Sequence, residues 1–208
     1  MQYDGFSLGE ADLSLGVTEL LKRSRQARFP FLSANLFDRR SGKPVFTPYV
    51  VKTLGDAKVG IFAVMADGFF LRSSTTDREK FFTANPVDAA GEIVSALKNA
   101  GCRIIICIAH MPENEKRELA RAVKGIHFIV SGHDFTLKPE MELVGQVEIL
   151  RTGAKGEHLG QLDFFLREDR LFYHYEVIPL DRNHADQREV AAMVNQYKSR
   201  IQALINEE

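Results

Sequence analysis

Apolar residues recur along this chain at more than one spacing, and each spacing predicts a different element. In residues 16–25 (GVTELLKRSR) they stand at Val17, Leu20 and Leu21, a helical stripe. Phe29-Pro30 closes that helix ahead of the short apolar stretch 31–35, which reads as a strand. Residues 49–53 and 58–64 are rich in β-formers and are separated by Leu54-Gly55-Asp56-Ala57, so a hairpin is expected. The second arm is almost wholly apolar, as strands covered on both faces are. Residues 67–84 show no period and are rich in Ser, Thr and Phe, which predicts a loop or irregular excursion lying as a lip over a site.

Asn85-Pro86-Val87-Asp88 then carries the marks of a helix start: a capping side chain, a proline suited to the first helical position and an acid at the positive end. That helix runs to about Asn99, with Gly101 as its stop. Residues 103–110 (RIIICIAH) are nearly unbroken apolar, Pro112 and Glu113 open a helix through Val123, and residues 126–131 (IHFIVS) form a second apolar run. This order predicts a βαβ unit and hence two parallel strands. Residues 147–152, 159–166 and 171–178 read as further strands, the last two antiparallel around a turn at Glu168 and Asp169. Past Pro179 the chain turns polar, and Val190, Val194, Tyr197, Ile201 and Leu204 mark an amphipathic helix over 186–208. Their alternating spacing of four and three suits a coiled-coil seam, but over so few turns the expected use is docking on the parent domain. The fold class is therefore α/β, with one domain over 1–180 and a C-terminal amphipathic helix in 181–208.

Composition leaves that picture in place. A chain of 208 residues with 45% hydrophobic and 26% charged residues is ordinary for a globular domain. Its 27 basic and 28 acidic residues give a formal net charge of -1, with no long run of one sign, so no nucleic-acid partner is expected. No apolar run is long enough to span a bilayer, and residues 1–10 have neither the basic start nor the apolar core of an export signal. Cys102 and Cys107, five residues apart in one strand-like run, would lie on opposite faces roughly 16 Å apart and cannot pair. Both read as buried thiols.

The candidate chemistry centres on His110 and His133. Each stands just beyond an apolar strand of the βαβ unit, so both imidazoles should meet at the carboxyl edge of adjacent parallel strands, where open α/β sheets bind ligands. Two imidazoles converging there suit a metal such as zinc or iron. The plainer alternative is a pair of loop histidines bonded to backbone. His127, His158, His174 and His184 read as core, pleat or surface residues, and residues 113–121 as a solvated helix face with pairs such as Glu113 and Arg117.

The order of short segments around these histidines resembles that of metallophosphoesterases of the 5′-nucleotidase type. Residues 29–35 (FPFLSAN) look like the family's FP-LSAN segment, 48–64 like its PY hairpin, and 103–110 like its strand ending in histidine. Ser131-Gly132-His133-Asp134 stands where the family has GGHSH, and 153–162 (GAKGEHLGQL) where it has G-x-x-G-x-x-LG. The resemblance spans about residues 3–179. It implies a mixed β-sandwich flanked by helices, with the first strands lacking, and metal-ligand roles for His110 and His133. In the family, paired ions generate hydroxide and hold the developing charge while phosphorus is attacked in line.

Three departures accompany the resemblance. The second histidine of GHxH is Phe135 here; GNHE becomes Gly9-Glu10-Ala11-Asp12, with Glu10 for the asparagine ligand and Ala11 for the catalytic histidine; and the DxH and GD motifs have no sequence to occupy. Ala11 can neither bond phosphate nor donate a proton. The donors left are His110, His133 and Glu10, with Asp12 and Asp134 as outside candidates. They suffice for at most one divalent ion, Zn, Mn or Mg. The resemblance implies a phosphorylated small molecule or nucleotide as substrate, and relatives of this type are commonly exported. It also predicts an apolar seam beside the lacking strands, to be covered by a missing N-terminal segment or a second copy. Two readings remain, a phosphoester hydrolase impaired as this chain, and a non-catalytic metal- or ligand-binding module on the same fold.

Overall fold

The computed structural model describes residues 3–206 apart from 72, 134 and 169. The chain opens with β1 (Phe6–Ser7), the single-turn helix α1 (Glu10–Leu13) and α2 (Val17–Gln26), followed by β2 (Phe31–Leu32) and β3 (Leu36–Asp38). The hairpin of β4 (Tyr49–Leu54) and β5 (Ala57–Met65) leads into α3 (Asp67–Phe70), α4 (Thr75–Lys80) and β6 (Phe81–Thr83). Next come α5 (Pro86–Asn99), β7 (Ile104–His110), α6 (Glu113–Ala122) and β8 (Phe128–Gly132). Then follow β9 (Glu142–Val144), β10 (Val147–Leu150), the long hairpin of β11 (His158–Arg167) and β12 (Arg170–Pro179), and α7 (Arg188–Asn206).

A six-stranded sheet, ordered β4-β5-β7-β8-β10-β9, forms the centre. β5, β7, β8 and β10 run parallel, while β4 and β9 pair antiparallel at the two margins. β5, β7 and β8 are parallel because α5 and α6 return the chain to the same end each time, while β10 reaches the same direction by reversing from β9. Register aligns His110 with Met65 on one side and Gly132 on the other, so three strands end level at one carboxyl edge.

The two faces of β7 explain the layers. Ile105 and Cys107 point to the face where Ala90, Val94 and Leu97 of α5 and Leu119 and Ala120 of α6 are buried. Ile104 lies on the opposite face with Val59, Phe128 and Leu150, against which Leu162, Phe164, Leu171 and Tyr175 of the β11–β12 hairpin pack. Burying each such side chain contributes roughly 1.5–3 kcal/mol, so near-continuous apolar strands are stable only with both faces covered. The helix start at Asn85 is as expected, its side chain accepting from Val87 and Asp88 N–H groups at 2.9 and 3.2 Å. Cys102 and Cys107 are buried free thiols, and burial pushes the Cys107 thiol far above its usual range. His127 is half-buried, its Nδ1 accepting from the Ile105 N–H at 3.1 Å.

Several expectations are corrected. The segment expected to be irregular contains α3, α4 and β6, and buried Asp77 fastens it, its carboxylate accepting from the Val17 N–H at 3.1 Å and so capping a helix 60 residues away. The strand expected over 31–35 is confined to Phe31–Leu32, because the following residues bond to the side of β5, as in Ala34 N–H to Ala63 O at 2.7 Å. β9 was not foreseen. α7 forms but leaves most of its stripe open: Val190 is half-buried, while Val194, Tyr197, Ile201 and Leu204 are 39–65% exposed. The segment 180–187 that leads into α7 is exposed along its length.

Candidate metal centre

The carboxyl edge of β5, β7 and β8 presents one convergent group of donors, and Glu10 reaches it from the first residue of α1. One ligand atom each from Glu10, His110 and His133 lies within 4.8 Å of the others. The Glu10 carboxylate bonds His110 Nε2 through one oxygen and His133 Nδ1 through the other, the latter at 2.8 Å. The two rings meet edge to face with centroids 5.4 Å apart, and each side chain is about a quarter exposed.

Local backbone makes the convergence. His110 ends β7 in regular extended conformation, and its carbonyl accepts from the Ala66 N–H at 3.0 Å, locking it to the end of β5. His133 instead follows β8 with φ of +67°, a left-handed conformation that costs a non-glycine residue of order 1–3 kcal/mol and persists where the surroundings enforce it. Gly9 and Gly132 are required by closeness: a Cβ on either would fall 2.8 Å from the His110 ring. Phe69 of α3 covers the site from above, its ring 5.4 Å from His110 and 4.5 Å from His133. Of the segment expected as a lip, Phe69 of α3 is the residue whose ring lies against both imidazoles. Behind β5, wholly buried Asn35 fastens the same edge, donating to Met65 O and Ala84 O while Met65 N–H donates back.

Burial alone would raise the Glu10 carboxyl. The bond to His110, the local backbone and the charge of both imidazoles outweigh it, so the group titrates below its usual range. Glu10 is therefore a carboxylate at neutral pH, the form that ligates. Two imidazole nitrogens and one carboxylate oxygen are the donor set of single-zinc hydrolytic centres, so these residues fit one divalent ion with positions left for water or substrate. Asp12 is turned to another task, its Oδ2 accepting from the Gly9 N–H at 2.8 Å at the start of α1. Asp134 lies outside the described residues. Phe135 stands beside His133, centroids 6.2 Å apart and 82% exposed, and offers no ligand atom.

A second polar group forms at the start of α6. Arg151, its side chain 1% exposed, donates from Nη2 to Glu113 and to Glu142, both at 2.6 Å. Arg117 donates to the same two carboxylates at 2.8 and 2.5 Å. The Glu113–Arg117 pair was expected, but the face is not simply solvated: α6 also buries Lys116 completely, with Nζ donating to Gly132 O at 3.0 Å and to Ser131 Oγ. Phe69, Lys116 and Arg151 were missed because their roles depend on contacts across the fold. A charged residue at the apolar spacing of α6, Lys116 three before Leu119, was the signal that marked an inward-facing ammonium.

Searching family models returns no match. In sequence the chain is 27% identical over 199 residues to the trifunctional nucleotide phosphoesterase protein YfkN of Bacillus subtilis, covering 81% of this chain and 14% of that protein. It is 25% identical over 237 residues to human 5′-nucleotidase, covering 97% and 39%. In structure it superposes on the sulfate thiohydrolase SoxB of Thermus thermophilus with a TM-score of 0.87 at 22% identity, covering 96% of this chain and 37% of that one. The chain thus spans well under half the length of these relatives. The mixed sheet with flanking helices is the fold of the metallophosphoesterases, and the likeness to nucleotidases and nucleotide phosphoesterases extends along most of the sequence. Among the described residues, no helix is long and apolar enough to cross a membrane.

Proposed function

We propose that this chain, a 5′-nucleotidase-like metallophosphoesterase domain by fold and by sequence likeness, is a phosphoester hydrolase domain that works with a single divalent ion and is weak in isolation. The observation that carries the reading is the convergence of Glu10, His110 and His133 within 4.8 Å at the carboxyl edge. The similarity to nucleotide phosphoesterases makes a phosphorylated small molecule, a nucleotide among them, the substrate class.

A divalent ion held there supplies Lewis acidity toward a phosphoryl oxygen and lowers the pKa of a bound water. The chain supplies the rest. Glu10 contributes negative charge and holds both imidazoles in register. Gly9, Gly132 and the Ala66–His110 backbone bond fix the ring of His110, and Phe69 shields one side of the pair from water. Ala11, where the family has its catalytic histidine, leaves the departing oxygen without that proton source. General acid catalysis of this kind is worth roughly 10²–10⁴-fold, which is the expected scale of the impairment.

Hydrolysis of p-nitrophenyl phosphate and nucleoside monophosphates with Mn²⁺, Zn²⁺ or Mg²⁺, against His110→Ala as control, tests this. The expected result is slow, metal-dependent turnover lost in the variant. Failure to bind any of the three ions, or turnover that survives His110→Ala, would contradict it.

A further inference from the structure

Lys116 is the one charged side chain of α6 that is fully buried among the described residues, and its position next to the candidate centre has a structural consequence. Its Nζ donates to the carbonyl of Gly132 at 3.0 Å and to Ser131 Oγ. That carbonyl belongs to the peptide group joining Gly132 to His133, so the bond fixes the plane from which the His133 backbone departs at φ +67°. A buried ammonium is costly unless it is well bonded, and a left-handed histidine is unfavourable unless it is held. The two unfavourable features are adjacent, and the bond from Nζ to Gly132 O links them. Rotating this peptide group would swing the imidazole away from Glu10, to which His133 Nδ1 lies at 2.8 Å. Gly132 cannot supply the rigidity itself, because the lack of a Cβ that lets it pass 2.8 Å from His110 also leaves its backbone the freest at the edge.

We propose that Lys116 is a positioning residue for the centre: it clamps the β8 end so that His133 is aimed at Glu10 and His110 before any ion arrives. Groups that hold metal ligands in place from behind alter affinity by about 10–100-fold when removed. The metal arm of the proposal rests on the reading of Glu10, His110 and His133 as a metal centre; the metal-free arm does not.

The test uses Lys116→Met, which keeps most of the stem and removes the donor, beside Leu119→Ala, a packing change at a fully buried position of the same helix. In metal-free protein, long-range ¹H–¹⁵N spectra of the imidazoles should show the His133 signals shifted and broadened in Lys116→Met while those of His110 move less. Leu119→Ala should lower Tm with the His133 signals unchanged. Co²⁺ titration followed by the visible spectrum should show a Kd raised about 10–100-fold in Lys116→Met, with a changed band pattern. In wild-type protein the Lys116 Nζ protons should exchange slowly with water, a measurement that stands even if the variant does not fold. Unmoved His133 signals, equal disturbance by Leu119→Ala, or fast Nζ exchange overturns the proposal. Wild-type protein that takes no Co²⁺ defeats the metal reading alone, and the imidazole spectra still decide the role of Lys116.

Discussion

At the carboxyl edge of the sheet Glu10 meets the imidazoles of His110 and His133, whereas at the start of α6 Glu113 and Glu142 meet the guanidiniums of Arg117 and Arg151. Both groups set acids against nitrogen bases. In the second, fixed positive charges answer both carboxylates, led by the bond from Arg117, and the Glu142 carboxyl is held at about 2. In the first, the bases are imidazoles that retain lone pairs when neutral, and the strained backbone at His133 lies here. A guanidinium carries no lone pair and binds no metal, so the Arg151 group is a structural closure. The imidazole group is available to a cation. Spatial closeness of acid and base does not by itself mark a site; the kind of base does.

The strongest way to break the contrast is to remove both imidazoles. His110→Ala with His133→Ala should abolish ion binding in isothermal titration while leaving the fold, because neither side chain belongs to the buried core. Arg151→Met attacks the other group and should do the reverse. Breaking a fully buried pair costs 3–5 kcal/mol; with Glu113 and Glu142 about 28–29% exposed, a loss of about 2–3 kcal/mol in denaturant unfolding is expected, with ion affinity kept. Glu10→Gln should weaken ion binding by more than the roughly 10–100-fold seen when a group behind a ligand is lost, with unfolding little changed. Glu142→Gln has the smallest effect. A depressed carboxyl stabilises the fold above its unfolded value of 4.5 and loses that contribution as pH falls toward about 2. The variant should therefore flatten the acid limb of a stability profile between those values and leave the Glu10–His110–His133 group unchanged.

The same contrast separates what was legible in the sequence from what was not. His110 and His133 were readable because each ends a near-continuous apolar strand, and parallel strands joined through a helix must finish at one edge. Glu10 came from its place in a segment resembling a known ligand word, not from any periodicity. α5 was readable from Asn85-Pro86, where cap and proline act locally. α3 and α4 were not, since helices of four and six residues carry no period and are held by distant groups such as Asp77 on Val17. β9 is too short to alternate visibly. Arg151 was hidden because its two carboxylates come from α6 and β9, 38 and 9 residues away. For α7 the stripe of 190–204 was legible, but whether it docks depends on a partner surface elsewhere in the fold, which no local pattern encodes.

The central claim is a centre for one ion built from Glu10, His110 and His133. Its most direct measurement is the metal content of purified protein reconstituted with Zn²⁺ or Mn²⁺ and freed of excess, by mass spectrometry of the elements against protein concentration. One ion per chain, falling to none in the double histidine variant, is the expected result. Two ions per chain, or one retained without both histidines, would contradict it.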